Sequence, residues 1–256
     1  MTRLPAKFLR QPIAHRGLHG LYSQSAENSI SAVQAAIDRG YGVEIDLQLS
    51  ADRQAVVFHD KTLDRMTTET GMVVAQTATE LYKLRLRKCT VDTIPTLRQV
   101  LALVAGRAPL LIELKDQDGR LGPRIGPLEQ DCAAALQSYR GPVAVMSFNP
   151  YSVKRMSRLA PTIPRGLISE AYTPEDWPEL SAETRQHLRD IADYHACKSC
   201  FISQKVSDLN RPRVSELKQD GAAILCWTVK SLDAETAARK IADNITFEGY
   251  LPSLNA

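Results

Sequence analysis

The sequence predicts a single (β/α)8 TIM barrel, an α/β fold, with a small β-hairpin after its second strand. Eight short apolar segments recur along the 256 residues, and amphipathic stretches separate most of them. Near-continuous apolar strands that alternate with helices indicate a buried parallel sheet, and a chain of this length suits eight such units. The composition, 44% hydrophobic and 24% charged, is that of a globular protein. We therefore predict one domain over residues 1–256.

The predicted strands are short and mostly apolar: 12–15, 43–49, 110–115, 143–148, 164–168, 201–204, 223–229 and 244–248. Residues 55–59 are predicted as the returning arm of the hairpin, because the turn at 50–54 is short. An open doubly wound sheet is the alternative fold. That fold needs a GxGxxG turn after its first strand, and HRGLHG at 15–20 supplies only two of the three glycines.

Helices are predicted where apolar residues recur at helical spacing. Ile30, Val33 and Ile37 fall on one face of 29–39, and residues 96–105 follow the same pattern. Thr96 with Gln99 fits a capping box, as does Thr77 with Glu80. Further helical segments are 152–159, 213–219 and 234–241. These segments would form the crossovers between parallel strands.

Charge and composition exclude several classes of protein. The net charge of +3, from 32 basic and 29 acidic residues, is too small and too scattered to indicate a nucleic-acid partner. No apolar run reaches the roughly 18 residues of a membrane span, and the first residues lack the apolar core of a signal peptide. Five cysteines, an odd number, fit a reducing compartment. We predict a cytoplasmic protein without stable membrane insertion, and we interpret Cys197 and Cys200 as incidental thiols.

Two carboxylates in the second predicted strand indicate a cation site. Side chains alternate along a strand, so Glu44, Asp46 and Gln48 share one face and aliphatic residues occupy the other. In a barrel the aliphatic face must meet the helices, which turns the acidic face inward. Buried carboxylates need a cation nearby. A divalent metal, Mg²⁺ or Ca²⁺, is the candidate, because these hard cations prefer oxygen ligands.

Further polar residues follow other predicted strands. Glu113 and Lys115 share one face of the third strand, His15 and Arg16 end the first, and the hairpin returns His59 toward the acidic strand. Each signal alone is weak: the Glu113 and Lys115 pair, for example, could be a simple ion pair. Catalytic groups of this fold lie at the carboxyl ends of the strands. The predicted mouth thus collects His15, Arg16, Glu44, Asp46, His59, Glu113 and Lys115, a set suited to metal-assisted attack on a phosphate ester.

These residues lie in short motifs that resemble the glycerophosphodiester phosphodiesterase family. The motifs occur in the family's order and span residues 13 to about 229. They are HRG at 15–17, AENS at 26–29, EIDLQ at 44–48, FHD at 58–60 with LDR at 63–65, IPTL at 94–97, ELK at 113–115, SF at 147–148 and CWTV at 226–229. The resemblance implies a TIM barrel that hydrolyses a small-molecule glycerophosphodiester to glycerol 3-phosphate and an alcohol with a divalent metal.

The resemblance also implies a role for each matched residue. Glu44, Asp46 and Glu113 would hold the metal, Mg²⁺ or Ca²⁺. His15 and His59 would be the acid–base pair, Arg16 and Lys115 would bind the phosphate, and Trp227 would form a wall on the glycerol side. In this family the glycerol hydroxyl is thought to attack first and to give a cyclic phosphate, which water then opens.

The sequence departs from the family at two places. Ala26 replaces a frequent proline, which affects loop stiffness; Asn28 two residues later is interpreted as a helix N-cap. The segment 245–252 lacks the family's Asp-containing turn, so its role is open. Two other functions stay open. One is a lysophospholipase D-like enzyme for acylated substrates, for which the loop with Tyr172 and Trp177 is the candidate apolar rim. The other is a non-catalytic phosphate-binding barrel.

Overall fold

The chain folds into a closed barrel of parallel strands, which confirms the predicted fold class. The structure, a computed structural model, describes residues 2–87 and 91–254, so Cys89 lies outside the described residues. The barrel strands are β1 (Ile13–Ala14), β2 (Gly42–Leu49), β4 (Leu110–Leu114), β5 (Val143–Ser147), β6 (Arg165–Ser169), β7 (Phe201–Lys205), β8 (Ala223–Val229) and β9 (Asn244–Phe247). The barrel closes because β1 pairs with both β2 and β9, in the order β1-β9-β8-β7-β6-β5-β4-β2.

The predicted hairpin is present and adds one antiparallel strand, β3 (Ala55–Val57), to the rim. Leu47 pairs with Val57 and Leu49 with Ala55, beyond the part of β2 that pairs with β1. The arm is shorter than the predicted 55–59, because His59 follows the strand instead of belonging to it. Gln48 Nε2 donates to the His59 carbonyl at 2.9 Å. The hairpin therefore returns His59 to the acidic strand, as predicted.

Helices connect the barrel strands. They are α1 (Lys7–Arg10), α2 (Ile30–Asp38), α3 (Ala78–Leu81), α4 (Leu97–Val104), α5 (Pro127–Leu136), α6 (Pro150–Leu159), α7 (Ala182–Arg189), α8 (Pro212–Gln219) and α9 (Leu232–Ala238). Both predicted capping boxes form, at Thr77 and Thr96. Sequence patterns missed α1, α5 and α7. Of these, α7 buries only Leu188 and so has no apolar stripe. Among the described residues, no helix is long and apolar enough to cross a bilayer.

The two faces of β2 separate as predicted. Val43, Ile45 and Leu47 are fully buried in one cluster with helix residues such as Val33 and Val100. The opposite face carries the carboxylates into the barrel. Apolar residues fill the interior below them: Ile13, Leu111, Ala144, Met146, Ile168, Phe201 and Leu225. Gly166 makes room for this packing, since a Cβ there would lie 2.4 Å from the Phe201 ring.

Candidate active site at the barrel mouth

The first strand delivers His15 and Arg16 to the mouth through a tight turn. β1 ends at Ala14, and Arg16 and Gly17 both adopt left-handed backbone, with φ of 56° and 77°. Glycine is required at 17 because a Cβ would lie 2.8 Å from the Ala32 carbonyl carbon of α2. The Arg16 amide donates to Glu44 Oε2 at 2.8 Å. This turn is therefore fixed directly against the acidic strand.

Three carboxylates meet inside the mouth. Glu44 and Asp46 extend from β2, and Glu113 lies directly opposite Asp46 on β4. One oxygen from each lies within 4.8 Å of the others, and all three residues are buried. Glu44 Oε1 is buried and accepts no hydrogen bond from any described residue. A concave set of hard oxygens with one unsatisfied oxygen fits a divalent cation.

Lys115 partly neutralises these carboxylates. Its Nζ lies 2.8 Å from Asp46 Oδ1 and 2.8 Å from Glu113 Oε1. Burial raises the pKa of Glu44 well above its usual value, and the charges of Asp46 and Glu113 raise it further. Burial also raises the pKa of Glu113. Burial opposes ionisation of Asp46 too, but Lys115 and the other nearby cations outweigh it and hold that pKa low. Arg16 Nε also lies 3.4 Å from Asp46 Oδ2. Among the described residues, however, no lysine or arginine forms an ion pair with Glu44, so a divalent cation would be bound favourably.

Asn28 has a role that the sequence interpretation missed. The N-cap of α2 is Ser29, whose side chain accepts from the Ala32 amide at 3.1 Å, so the prediction of Asn28 as the cap was wrong. Asn28 adopts φ 58°, a conformation that asparagine tolerates better than most residues. Its Nδ2 donates to Asp46 Oδ2 at 2.7 Å, and its Oδ1 accepts from the Asp46 amide at 3.1 Å. Asn28 thus orients one of the three carboxylates.

His59 is held by a chain of charged side chains. His59 Nδ1 lies 2.6 Å from Asp60 Oδ1, and Arg65 binds Asp60 through Nε at 2.6 Å. Arg65 also binds Glu27, with Nη2 to Oε1 at 2.6 Å, and Arg16 Nη1 reaches the same oxygen at 2.9 Å. Because Arg16 follows His15 along the chain, this network couples the positions of both predicted catalytic histidines.

Glu248 is a site residue that sequence reasoning did not find. It follows β9, in the segment that departs from the family pattern, and its Oε2 lies 2.8 Å from His15 Nδ1. The available signal was its position, since a polar residue directly after the last barrel strand must lie at the mouth. Without the expected Asp-containing turn, no motif drew attention to it.

A cavity of about 410 Å³ opens at this mouth. Trp227 stands at one side, with its Nε1 donating to the Ser203 carbonyl at 3.0 Å and its ring edge-to-face with Phe148 at 5.6 Å. Asp46 is buried and is not among the residues that line the cavity, but its Oδ1 contacts Lys115, which does line it. The other predicted site residues all line the cavity: His15, Arg16, Glu44, His59, Glu113, Lys115 and Trp227. Glu27, Arg65, Lys230 and Glu248 join them.

The loop with Trp177 does not form an exposed apolar rim. Trp177 packs against Phe148 and Tyr172, with ring centroids 5.7 and 5.4 Å away. Its Nε1 donates to Glu170 Oε1 at 2.8 Å. The loop therefore packs against the outside of the mouth. The exposed apolar rim that would favour acylated substrates is not formed by Trp177.

Comparisons with known proteins agree with this geometry. Residues 15–243 match the model of the glycerophosphoryl diester phosphodiesterase family. A protein of Bacillus subtilis (strain 168), provisionally named glycerophosphodiester phosphodiesterase YhdW, is 32% identical over 235 residues, which cover 89% of this chain and 88% of that protein. A phosphodiesterase of Oleispira antarctica, solved with the product sn-glycerol-3-phosphate, superposes with a TM-score of 0.78 at 26% identity, covering 94% of each chain.

Proposed function

The chain belongs to the glycerophosphoryl diester phosphodiesterase family, and we propose that its mouth hydrolyses glycerophosphodiesters to glycerol 3-phosphate and an alcohol. The observation that carries this proposal is the meeting of three clustered carboxylates, two histidines paired with carboxylates, and several cationic side chains at one barrel mouth. The phosphodiesterase with sn-glycerol-3-phosphate bound, which shares this fold, supports the substrate class.

We propose that Glu44, Asp46 and Glu113 hold a divalent cation, Mg²⁺ or Ca²⁺. Two observations support this assignment: one Glu44 oxygen is unsatisfied, and no described lysine or arginine forms an ion pair with Glu44. When bound, such a cation stabilises negative charge that develops on the phosphoryl oxygens. Asn28 keeps Asp46 in the orientation that the site needs.

The other side chains have separate proposed roles. Arg16 and Lys115 bind phosphate oxygens, because they are the cations nearest to the carboxylates. His15 and His59 transfer protons: one accepts from the attacking hydroxyl and the other donates to the leaving alcohol. Trp227 provides an apolar wall for the glycerol moiety. Burial lowers the pKa of His15, despite the opposing effect of its hydrogen bond to Glu248, so the ring is neutral at pH 7 and can accept a proton.

We propose that the protein is located in the cytoplasm. Among the described residues, Cys132, Cys197, Cys200 and Cys226 are free thiols. Burial raises the pKa of Cys197 to about 12, which makes its reactive thiolate rare. Unreactive thiols that form no disulfide suit a reducing compartment.

Turnover of glycerophosphocholine, measured as choline release, tests the proposed function. Activity is expected to disappear in excess EDTA and to return when Mg²⁺ or Ca²⁺ is added back, because the proposed cation stabilises the negative charge that develops on the phosphoryl oxygens. Lysophosphatidylcholine serves as the acylated comparison and should be turned over more slowly, since Trp177 offers no exposed apolar rim. Turnover that is indifferent to chelation would refute the metal assignment. Faster turnover of the acylated substrate would favour the lysophospholipase D-like function.

A further inference from the structure

The contact between Glu248 and His15 joins a predicted site residue to one that no sequence motif indicated. Two backbone hydrogen bonds fix both residues: the His15 amide donates to the Phe247 carbonyl at 3.0 Å, and the Glu248 amide donates to the Val229 carbonyl at 2.9 Å. The side chains then meet at 2.8 Å, with the His15 side chain 15% exposed and that of Glu248 32% exposed. The pair therefore sits on strand ends and not on a mobile loop.

We propose that Glu248 is a positioning residue for His15, which fixes the orientation and tautomer of the ring from the carboxyl end of the last barrel strand. This inference rests on the proposed function, since it assigns His15 a proton-transfer role. It gives the segment 245–252 a function, although that segment lacks the Asp-containing turn expected from the family.

The chemistry follows from the ionisation state of the pair. The hydrogen bond from His15 lowers the pKa of Glu248 to about 2, so the carboxylate is ionised at neutral pH and can only accept. His15 Nδ1 must then carry the proton. Nε2 becomes the nitrogen that exchanges a proton with the substrate. Without the contact to Glu248, the ring would adopt the other tautomer for part of the time. In that tautomer Nε2 carries the proton and has no lone pair with which to accept another.

Several other charged groups act on this pair. Arg16 and Asp46 act on His15, the first disfavouring and the second favouring its protonated form. His19 and Lys230 act on Glu248 and favour its ionised form. Removing the Glu248 carboxylate removes the strongest influence that favours protonation of His15, while burial and Arg16 continue to oppose it. The pKa of His15 must then fall further.

Glu248→Gln tests the proposal, with the exposed Glu216→Gln as control. We expect the Gln variant to lose about 10–100-fold in kcat, part of the roughly 10²–10⁴-fold that a positioned proton-transfer group contributes, with KM within roughly twofold. The limb of the pH–rate profile that belongs to His15 should move to lower pH, whichever proton-transfer role the ring has. In His15→Ala, adding Glu248→Gln should cost nothing more, because the carboxylate acts only through the ring.

Three results would overturn the proposal: a Gln variant that changes only KM, a pH profile that stays in place, or losses that add in the double variant. If the Gln variant is unstable, ¹⁵N chemical shifts of His15 in the wild-type protein give an independent reading. They should show a protonated Nδ1, and a protonated Nε2 would equally refute the assignment. Wild-type turnover in the same assay separates this outcome from failure of the proposed function.

Discussion

His15→Ala and His59→Ala are each expected to lower kcat by roughly 10²–10⁴-fold, the usual contribution of a positioned proton-transfer group. That range corresponds to about 3–5 kcal/mol of transition-state stabilisation. KM should change little, because Arg16 and Lys115, and not the histidines, are proposed to bind the phosphate. The double variant should lose far less than the product of the single losses, since one histidine acts poorly without the other.

His187→Ala is the matched control for these variants. His187 lies on α7, half exposed, and pairs with Asp193 at 2.7 Å outside the mouth. Its removal should leave kcat within about twofold. Steady-state kinetics on glycerophosphocholine provide the measurement. Wild-type kcat in either His15→Ala or His59→Ala would show that the proton transfers are made by other groups.

Glu44→Gln is expected to lower kcat roughly 10³-fold and, without metal, to leave the protein as stable as the wild type or more stable. The loss in rate follows from losing several kcal/mol of charge stabilisation by the cation. The stability follows from the raised pKa of Glu44. Because this pKa is raised in the folded protein, protonated Glu44 contributes to the free energy of unfolding. That contribution is lost as the pH rises through the pKa of Glu44 in the folded state. Glutamine does not ionise, so the stability of the variant does not fall in this way with pH. Its side-chain oxygen can still accept a hydrogen bond from the Arg16 amide.

Thermal unfolding with and without cation measures both effects. Ca²⁺ or Mg²⁺ at about 100 times its Kd should stabilise the wild type by roughly 2.7 kcal/mol, and the Gln variant should gain much less. Glu183→Gln, an exposed change on α7, should behave as wild type. If the cation stabilised Glu44→Gln as strongly as the wild type, Glu44 would not be a ligand.

The barrel and the carboxylates could be predicted because they depend on strand periodicity. Alternation along β2 places Glu44 and Asp46 on one face whatever the surroundings, and parallel strands bring Glu113 to the same height. The hairpin was predictable for a similar reason, since a short turn at 50–54 leaves the following residues to pair antiparallel with β2, as Leu47 does with Val57. Local rules of this kind also located both capping boxes.

The residues that were missed depend on contacts between distant parts of the chain. Asn28 looked like a helix cap because asparagine is common there, but its left-handed backbone directs the side chain to Asp46, 18 residues away. Glu248 and His15 are 233 residues apart and meet only because the barrel closes. No periodicity encodes such a pair. The position of Trp177 is also difficult to predict from sequence, since its packing on Phe148 depends on the conformation of the loops outside the barrel.

Phosphorus-31 NMR of glycerophosphocholine hydrolysis tests the proposed function most directly, because it identifies which P–O bond breaks. With Mg²⁺ or Ca²⁺ present, the wild-type protein should give glycerol 3-phosphate as the final phosphorylated product, and excess EDTA should abolish the signal. Phosphocholine as the product, or no turnover with any divalent cation, would contradict glycerophosphodiester hydrolysis at the barrel mouth.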